Sequence, residues 1–74
     1  MYTETVFVQL LDEGTVVFRP VPAIRQEDGT YILSKTADYD PEFESWQFVP
    51  GSRVVCELGN AFDQTALIAV SQQE

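Results

Sequence analysis

Histidine is missing from this sequence, and cysteine occurs once, as Cys56. Histidine is the commonest general base and metal ligand, so its absence excludes Ser-His-Asp and Cys-His catalytic arrangements. One cysteine cannot supply the Cys and His ligands of a structural zinc site. It also excludes an internal disulfide, which favours a reducing compartment. We therefore expect no metal, no cofactor and no enzymatic activity, and a thiol that is buried and inert.

Basic residues are scarce. The 74 residues include four Lys and Arg against twelve Asp and Glu, which gives a formal net charge of −8. Because neutralisation of phosphates supplies most of the affinity for nucleic acids, direct binding to DNA, RNA or an anionic membrane is disfavoured. A basic protein surface would be the natural electrostatic complement, although solubility alone would also explain the charge. Paired carboxylates could carry acid–base chemistry, but so short a chain leaves little room for a substrate cleft.

Long apolar runs are lacking as well. No stretch approaches the roughly 20 residues that a membrane-spanning helix needs. The first residues show neither the basic region nor the apolar core of a signal peptide. We expect a single soluble domain over residues 1–74, located in the cytoplasm.

Short apolar runs with a two-residue period take the place of helical patterns. In the first run, Val6, Val8 and Leu10 fall on one face, which we take to be the inward one. The predicted strands cover Glu4–Leu11, Thr15–Arg25, Thr30–Ser34, Glu44–Val49, Arg53–Leu58 and Thr65–Val70, with a loop over Gly59–Gln64. Turns are indicated at Asp12-Glu13-Gly14, at Glu27-Asp28-Gly29-Thr30 and, as a type II turn, at Val49-Pro50-Gly51-Ser52.

Five or six short strands with turns every 8 to 12 residues predict an all-β fold. At this size we expect a small, partly open SH3-like barrel, with an OB-like barrel as the alternative. Pro20 and Pro22 interrupt the second strand, so that half should form an edge or a bulged corner, with both missing donors on one side. Val17, Val21 and Ala23 would then face inward, although a bulge would reverse this phasing.

The motifs LLDEGT, RPV, DGxYxL, WxFxPG and VxCE follow one another between Leu10 and Glu57. With this combination the sequence resembles small uncharacterised bacterial β-barrel proteins. The resemblance spans nearly the whole chain and implies a compact, soluble bacterial domain. It implies no activity, and no functional residue is carried over from it.

An acidic segment with interleaved aromatic residues follows the third predicted strand. Its carboxylates recur at every second residue, which puts them on one side of an extended chain. It is not an EF-hand, because Phe43 takes the place of the required glycine and Val49 that of the glutamate. Carboxylates clustered in a loop are usually only solvated, and Trp46 and Phe48 are expected in the core. The candidate partner-binding residues are Asp38, Tyr39, Asp40, Glu42, Phe43, Glu44 and Trp46.

The function that the sequence favours is a non-catalytic interaction module that docks on a protein partner, which could be basic. SH3 domains likewise combine aromatic side chains with acidic loops to hold proline-rich ligands that carry a basic residue. One alternative is a structural domain that associates with itself, since Phe7, Phe18 and Val55 are expected on the outside. A nucleic-acid-binding barrel is disfavoured by the missing basic face. An exposed Trp46 ring would support the docking segment, and a buried ring would remove its anchor.

Overall fold

The computed structural model describes residues 3–11, 13–37, 39–40, 42, 45–61 and 63–73. Within these ranges the chain is all-β and contains no helix, which confirms the predicted fold class. The strands are β1 (Thr3–Leu11), β2 (Val17–Arg25), β3 (Tyr31–Leu33), β4 (Ser45–Trp46), β5 (Arg53–Ala61) and β6 (Gln64–Gln72).

Five of the strands close into a barrel. Neighbours run in the order β2-β3-β5-β6-β1, β1 pairs with β2 to complete the ring, and β4 adds to β1 as an extra strand. The seam between β1 and β6 is parallel and passes through Phe7 and Ile68, whereas the other pairings are antiparallel. The result is a small barrel of the SH3-like or OB-like kind. Apart from β4, the ring follows chain order, which is a meander and differs from the Greek key of OB-fold barrels.

The core is built from the inward rows that the two-residue alternation predicts. Val6, Val8, Val21 and Val54 are fully buried, and Leu33 is nearly so. Burying a side chain of this kind stabilises the fold by roughly 1.5–3 kcal/mol. The cluster of buried residues consists of Val6, Val8, Leu10, Val21, Ala23, Tyr31, Leu33, Trp46, Phe48, Val54 and Ala69, with Val17, Tyr39, Cys56 and Leu67 packed against it.

The two prolines of β2 turn their nitrogen atoms to the same side of the strand, as predicted, and away from β1. Pro20 and Pro22 stand opposite Phe7 and Thr5 of β1. The carbonyl of Pro22 accepts a hydrogen bond from the backbone N–H of Ser34 at 2.8 Å, so this residue's polar groups point away from β1. In the described pairings β3 contacts only the last three residues of β2. Pro20 lies beyond the end of the β3 pairing, so its missing donor faces an edge, whereas Pro22 lies beside Ser34 and makes one bond there through its carbonyl.

The predicted type II turn is present between β4 and β5. Ser52 N–H donates to the carbonyl of Val49 at 3.1 Å, and Gly51 has a φ of +89° at the third position. Pro50 supplies the φ that the second position needs. The turn joins the end of the β4 segment to Arg53, where β5 begins.

The predicted loop over Gly59–Gln64 is wrong. β5 continues to Ala61, β6 begins at Gln64, and Asp63 adopts a φ of +60° in the tight connection. Asp tolerates this left-handed conformation better than most residues. Gly59 lies inside β5, where the side chain of Ile68 packs over it. A Cβ atom at this position would be only 2.8 Å from Ile68 Cδ1. The glycine makes room for a neighbouring side chain and does not break the strand.

Candidate functional site

Trp46 belongs to the core, and this corrects its place among the candidate binding residues. Its side chain is 4% exposed, and it pairs with Leu10 of β1 in the register of β4. The next residue, Gln47, donates its backbone N–H to the carbonyl of Gln9 at 2.9 Å. β4 is then already at its end, shorter than the predicted Glu44–Val49. A partner cannot reach this indole ring unless the core opens, so the docking segment lacks the anchor that an exposed ring would have supplied.

Tyr39 forms the rim of the same aromatic cluster. Its ring packs edge-on against the indole of Trp46, with 4.7 Å between the centroids and 67° between the planes. The Tyr39 backbone N–H donates to the carbonyl of Thr36 at 3.2 Å, which closes a turn after β3. Tyr39 is half-buried, so solvent reaches part of this residue, whereas Trp46 is buried.

The carboxylates that follow Tyr39 belong to a second turn. Asp40 Oδ1 accepts the backbone N–H of Glu42 at 2.9 Å, the local bond by which Asp commonly shapes a turn. Asp40 is half-buried and Glu42 is exposed. Three further candidates, Asp38, Phe43 and Glu44, lie outside the described residues. The structure therefore leaves Tyr39, Asp40 and Glu42 as the described surface of the segment, fixed to the barrel through Trp46.

A second cluster of polar side chains lines an open depression of about 400 Å³ at the β2–β3 turn, formed by Gln26, Glu27, Asp28 and Arg53. Asp28 Oδ1 accepts the hydroxyl of Thr30 at 2.6 Å and its backbone N–H at 3.0 Å. These bonds, the hydroxyl first, lower the pKa of Asp28, and Arg53 at 3.5 Å adds to the effect. The carboxylate is thus occupied in holding the turn that Asp28-Gly29 predicts.

Glu4 and Tyr31, which the sequence did not indicate as functional, lie near Cys56. Glu4 shares the phase of Val6 and Val8, and the register sets it opposite buried Ala23. Burial, and then the charge of Glu4, raises the pKa of Cys56 to about 11. Burial and Glu4 also raise the pKa of Tyr31. A thiol that resists ionisation is a poor nucleophile, which supports the expectation of an inert cysteine. Cys56 is, however, half-buried and not fully buried as expected.

In the part of the chain that the structure describes, no three Cys, Asp or Glu side chains come together as a metal site. Nor do the described residues form a helix with the length and apolar character needed to cross a membrane.

Comparison with known proteins finds no relative for this chain. No protein-family model, no curated protein and no solved structure matches it. What the chain does must therefore be inferred from its own residues.

Proposed function

We propose that this chain is a non-catalytic interaction module whose acidic surface docks on a protein partner with a basic surface. The observation that carries the proposal is the loop between β3 and β4, where Asp40 and Glu42 follow the half-buried ring of Tyr39. The ring packs on Trp46, which is part of the core. The docking segment is thereby attached to the rigid part of the barrel.

Charge and ring chemistry suit a lysine or arginine side chain of the partner. Carboxylates attract the cation, and a tyrosine face adds roughly 0.5–1 kcal/mol at an exposed site. A single exposed ion pair contributes only about 0.2–1 kcal/mol, so several contacts must act together. The net charge of −8 speeds encounter with a basic surface and rejects acidic ones. A loop that the core already holds loses little conformational freedom on binding.

Several features support binding over catalysis. The sequence offers no histidine as a general base. The Cys56 thiol has a pKa of about 11, well above the range of catalytic thiols. The carboxylate of Asp28, beside the open depression, already accepts two hydrogen bonds from Thr30. These groups fit structural roles.

The setting that we propose is the cytoplasm of a bacterial cell. A single, partly exposed thiol is compatible with a reducing compartment. The resemblance to small bacterial β-barrel proteins points the same way. A bacterial lysate is therefore the right source in which to look for the partner.

Capture from a bacterial lysate on the immobilised chain, at low and at high salt, tests the proposal. We expect a basic protein that is retained at low salt, released at high salt and identified by mass spectrometry. The double variant Asp40→Asn/Glu42→Gln should lose it. Glu27→Gln/Glu57→Gln is the matched control, because it removes the same charge at two exposed positions elsewhere.

Two results would contradict the proposal. One is the absence of any salt-sensitive partner. The other is equal loss of the partner from both double variants, which would mean that net charge alone governs retention and that the loop has no specific part in it.

A further inference from the structure

The outward faces of β1, β2 and β3 carry no charged residue. On β2 the outward row is Phe18, Pro20, Pro22 and Ile24, because the register sets these residues opposite the outward row of β1 and opposite Ile32 of β3. We call this surface the uncharged face. Its members are Thr3, Thr5, Phe7, Gln9 and Leu11 of β1, Phe18, Pro20, Pro22 and Ile24 of β2, and Ile32 of β3.

The charges of these strands all lie in the inward rows. Glu4 stands opposite buried Ala23, Arg19 opposite buried Val8, and Arg25 opposite buried Tyr31. An antiparallel sheet with one buried face normally places its polar and charged side chains on the other face. Here the outward rows hold polar but no charged side chains, and the three charged residues share the phase of the core rows, with Glu4 and Arg19 half-buried and Arg25 exposed.

Solvent reaches the uncharged face in the single chain. Thr5, Leu11 and Pro20 are exposed, and Phe18 and Ile24 are half-buried. Leu11 is the one member of the face among the exposed large apolar residues of the described chain, and the apolar rings and side chains around it are partly accessible. Apolar surface that solvent reaches is typical of contact sites on soluble proteins. Because the face holds neither carboxylate nor cation, it offers a basic partner no electrostatic attraction. Its occupant is therefore different from the partner proposed for the acidic loop.

We infer that the uncharged face is a self-association surface, on which a second copy of this chain packs face to face. Two copies of charge −8 repel each other, and contact through a face without carboxylates keeps that repulsion lowest. Pairing through the neighbouring edge of β2 is disfavoured, because Pro20 and Pro22 lack the N–H groups that strand addition needs. The two copies can instead pack with their uncharged faces against each other.

The dimensions fit a weak dimer. The nine-residue strands β1 and β2 are about 30 Å long, and with the short strand β3 beside them they span roughly 14 Å, so at most about 400 Å² per copy can be covered. That area lies at the low end of specific interfaces, below the roughly 800 Å² per partner of standard ones. A two-fold axis would place the same row of side chains from each copy in contact, as in aligned sheet packing.

Sedimentation equilibrium of the whole chain, from about 10 μM to about 1 mM, tests the inference. We expect the average mass to rise toward that of a dimer with concentration. Higher salt should strengthen the dimer, because it screens the repulsion between the copies. Docking of a basic partner responds to salt in the opposite way, so the two proposals can fail independently.

Thr5→Glu places a carboxylate at an exposed position of the uncharged face and should weaken the dimer at least about tenfold. Thr65→Glu is the matched control. Thr65 is also exposed on a strand, but it pairs with Asn60 and is not part of the uncharged face. This variant should change the dissociation constant of the dimer less than about twofold. Leu11→Glu, in the same row as Thr5, is a second variant, and circular dichroism checks that each one folds. A monomer at every concentration in high salt, or equal weakening by Thr5→Glu and Thr65→Glu, overturns the inference.

Discussion

Trp46 connects the acidic loop to the barrel. The alternation of Trp46 and Phe48 with polar neighbours allows either a core row or an exposed aromatic patch, and the structure buries both rings. The reason is the area that a tryptophan side chain buries, about 150–250 Å². A 74-residue barrel has a small core and cannot do without this contribution. In the docking proposal the contact with the partner is therefore assigned to Tyr39, which packs on the indole and is only half-buried.

Replacing Trp46 by Ala should lower the free energy of unfolding by about 3–5 kcal/mol, because it leaves a large cavity beside Leu10 and Tyr39. The total free energy of unfolding of a small domain is only about 5–15 kcal/mol, so this variant is at the limit of folding. Trp46→Phe keeps most of the packing and should lose less. Urea unfolding followed by circular dichroism measures both, and Gln47→Ala at the exposed neighbour is the control. A loss as small as that of the control would show that the ring is not part of the core.

Cys56 carries a prediction about pH. Its pKa of about 11 lies above the ordinary value of 9.0, so its reaction with a thiol reagent should rise with a midpoint near 11. Glu4→Gln should lower the midpoint, because the carboxylate repels the thiolate, but burial should keep it above 9.0. The folded chain holds this proton more tightly than the unfolded chain. The associated stability is therefore complete below about pH 9 and is lost as the pH rises toward 11. A midpoint at 9.0 or below would contradict the structure.

For the strands and turns, the two-residue hydrophobic period and the residue types at the turns predict most of the fold. The inward row of Val6, Val8 and Leu10 and the type II turn at Pro50-Gly51 are found as the sequence indicates. The β5–β6 hairpin was not predicted, because Gly59 is ordinarily a breaker and its role depends on Ile68, a contact made only after the strands pair. The acidic segment shows no pattern that separates a solvated loop from a binding loop, since both expose carboxylates.

Two glycines are predicted to respond differently to alanine. Gly51→Ala should lower the free energy of unfolding by about 1–2 kcal/mol, since its φ of +89° strains any side chain even where space is open. Gly59→Ala should cost less than about 1 kcal/mol, because the atom in the way is the mobile end of Ile68. Chemical denaturation of both variants checks the order. A larger loss for Gly59→Ala would mean that the β5–β6 hairpin is packed more rigidly than described.

The outward faces of β1, β2 and β3 are free of charge, whereas exposed apolar residues occur more widely, since Val16, Val49, Leu58 and Val70 lie outside these faces. Exposed carboxylates occur in the turns and on β5, at Glu13, Glu27, Asp28, Glu42, Glu57 and Asp63, while the outward faces of β1, β2 and β3 have none. One surface therefore suits a basic partner and the other suits an equally acidic one. A dimer formed through the uncharged face could present two acidic loops and raise the apparent affinity for a partner with two basic sites.

The most direct test of the docking account is the salt dependence of binding between the purified chain and the basic protein that it captures. Calorimetric titration between about 50 and 500 mM salt should show the dissociation constant rising steadily with salt, as screening weakens the attraction to the carboxylates. Asp40→Asn/Glu42→Gln should bind more weakly and depend less on salt than Glu27→Gln/Glu57→Gln. A dissociation constant that does not change with salt, or that falls, would show that the acidic loop is not what the partner recognises.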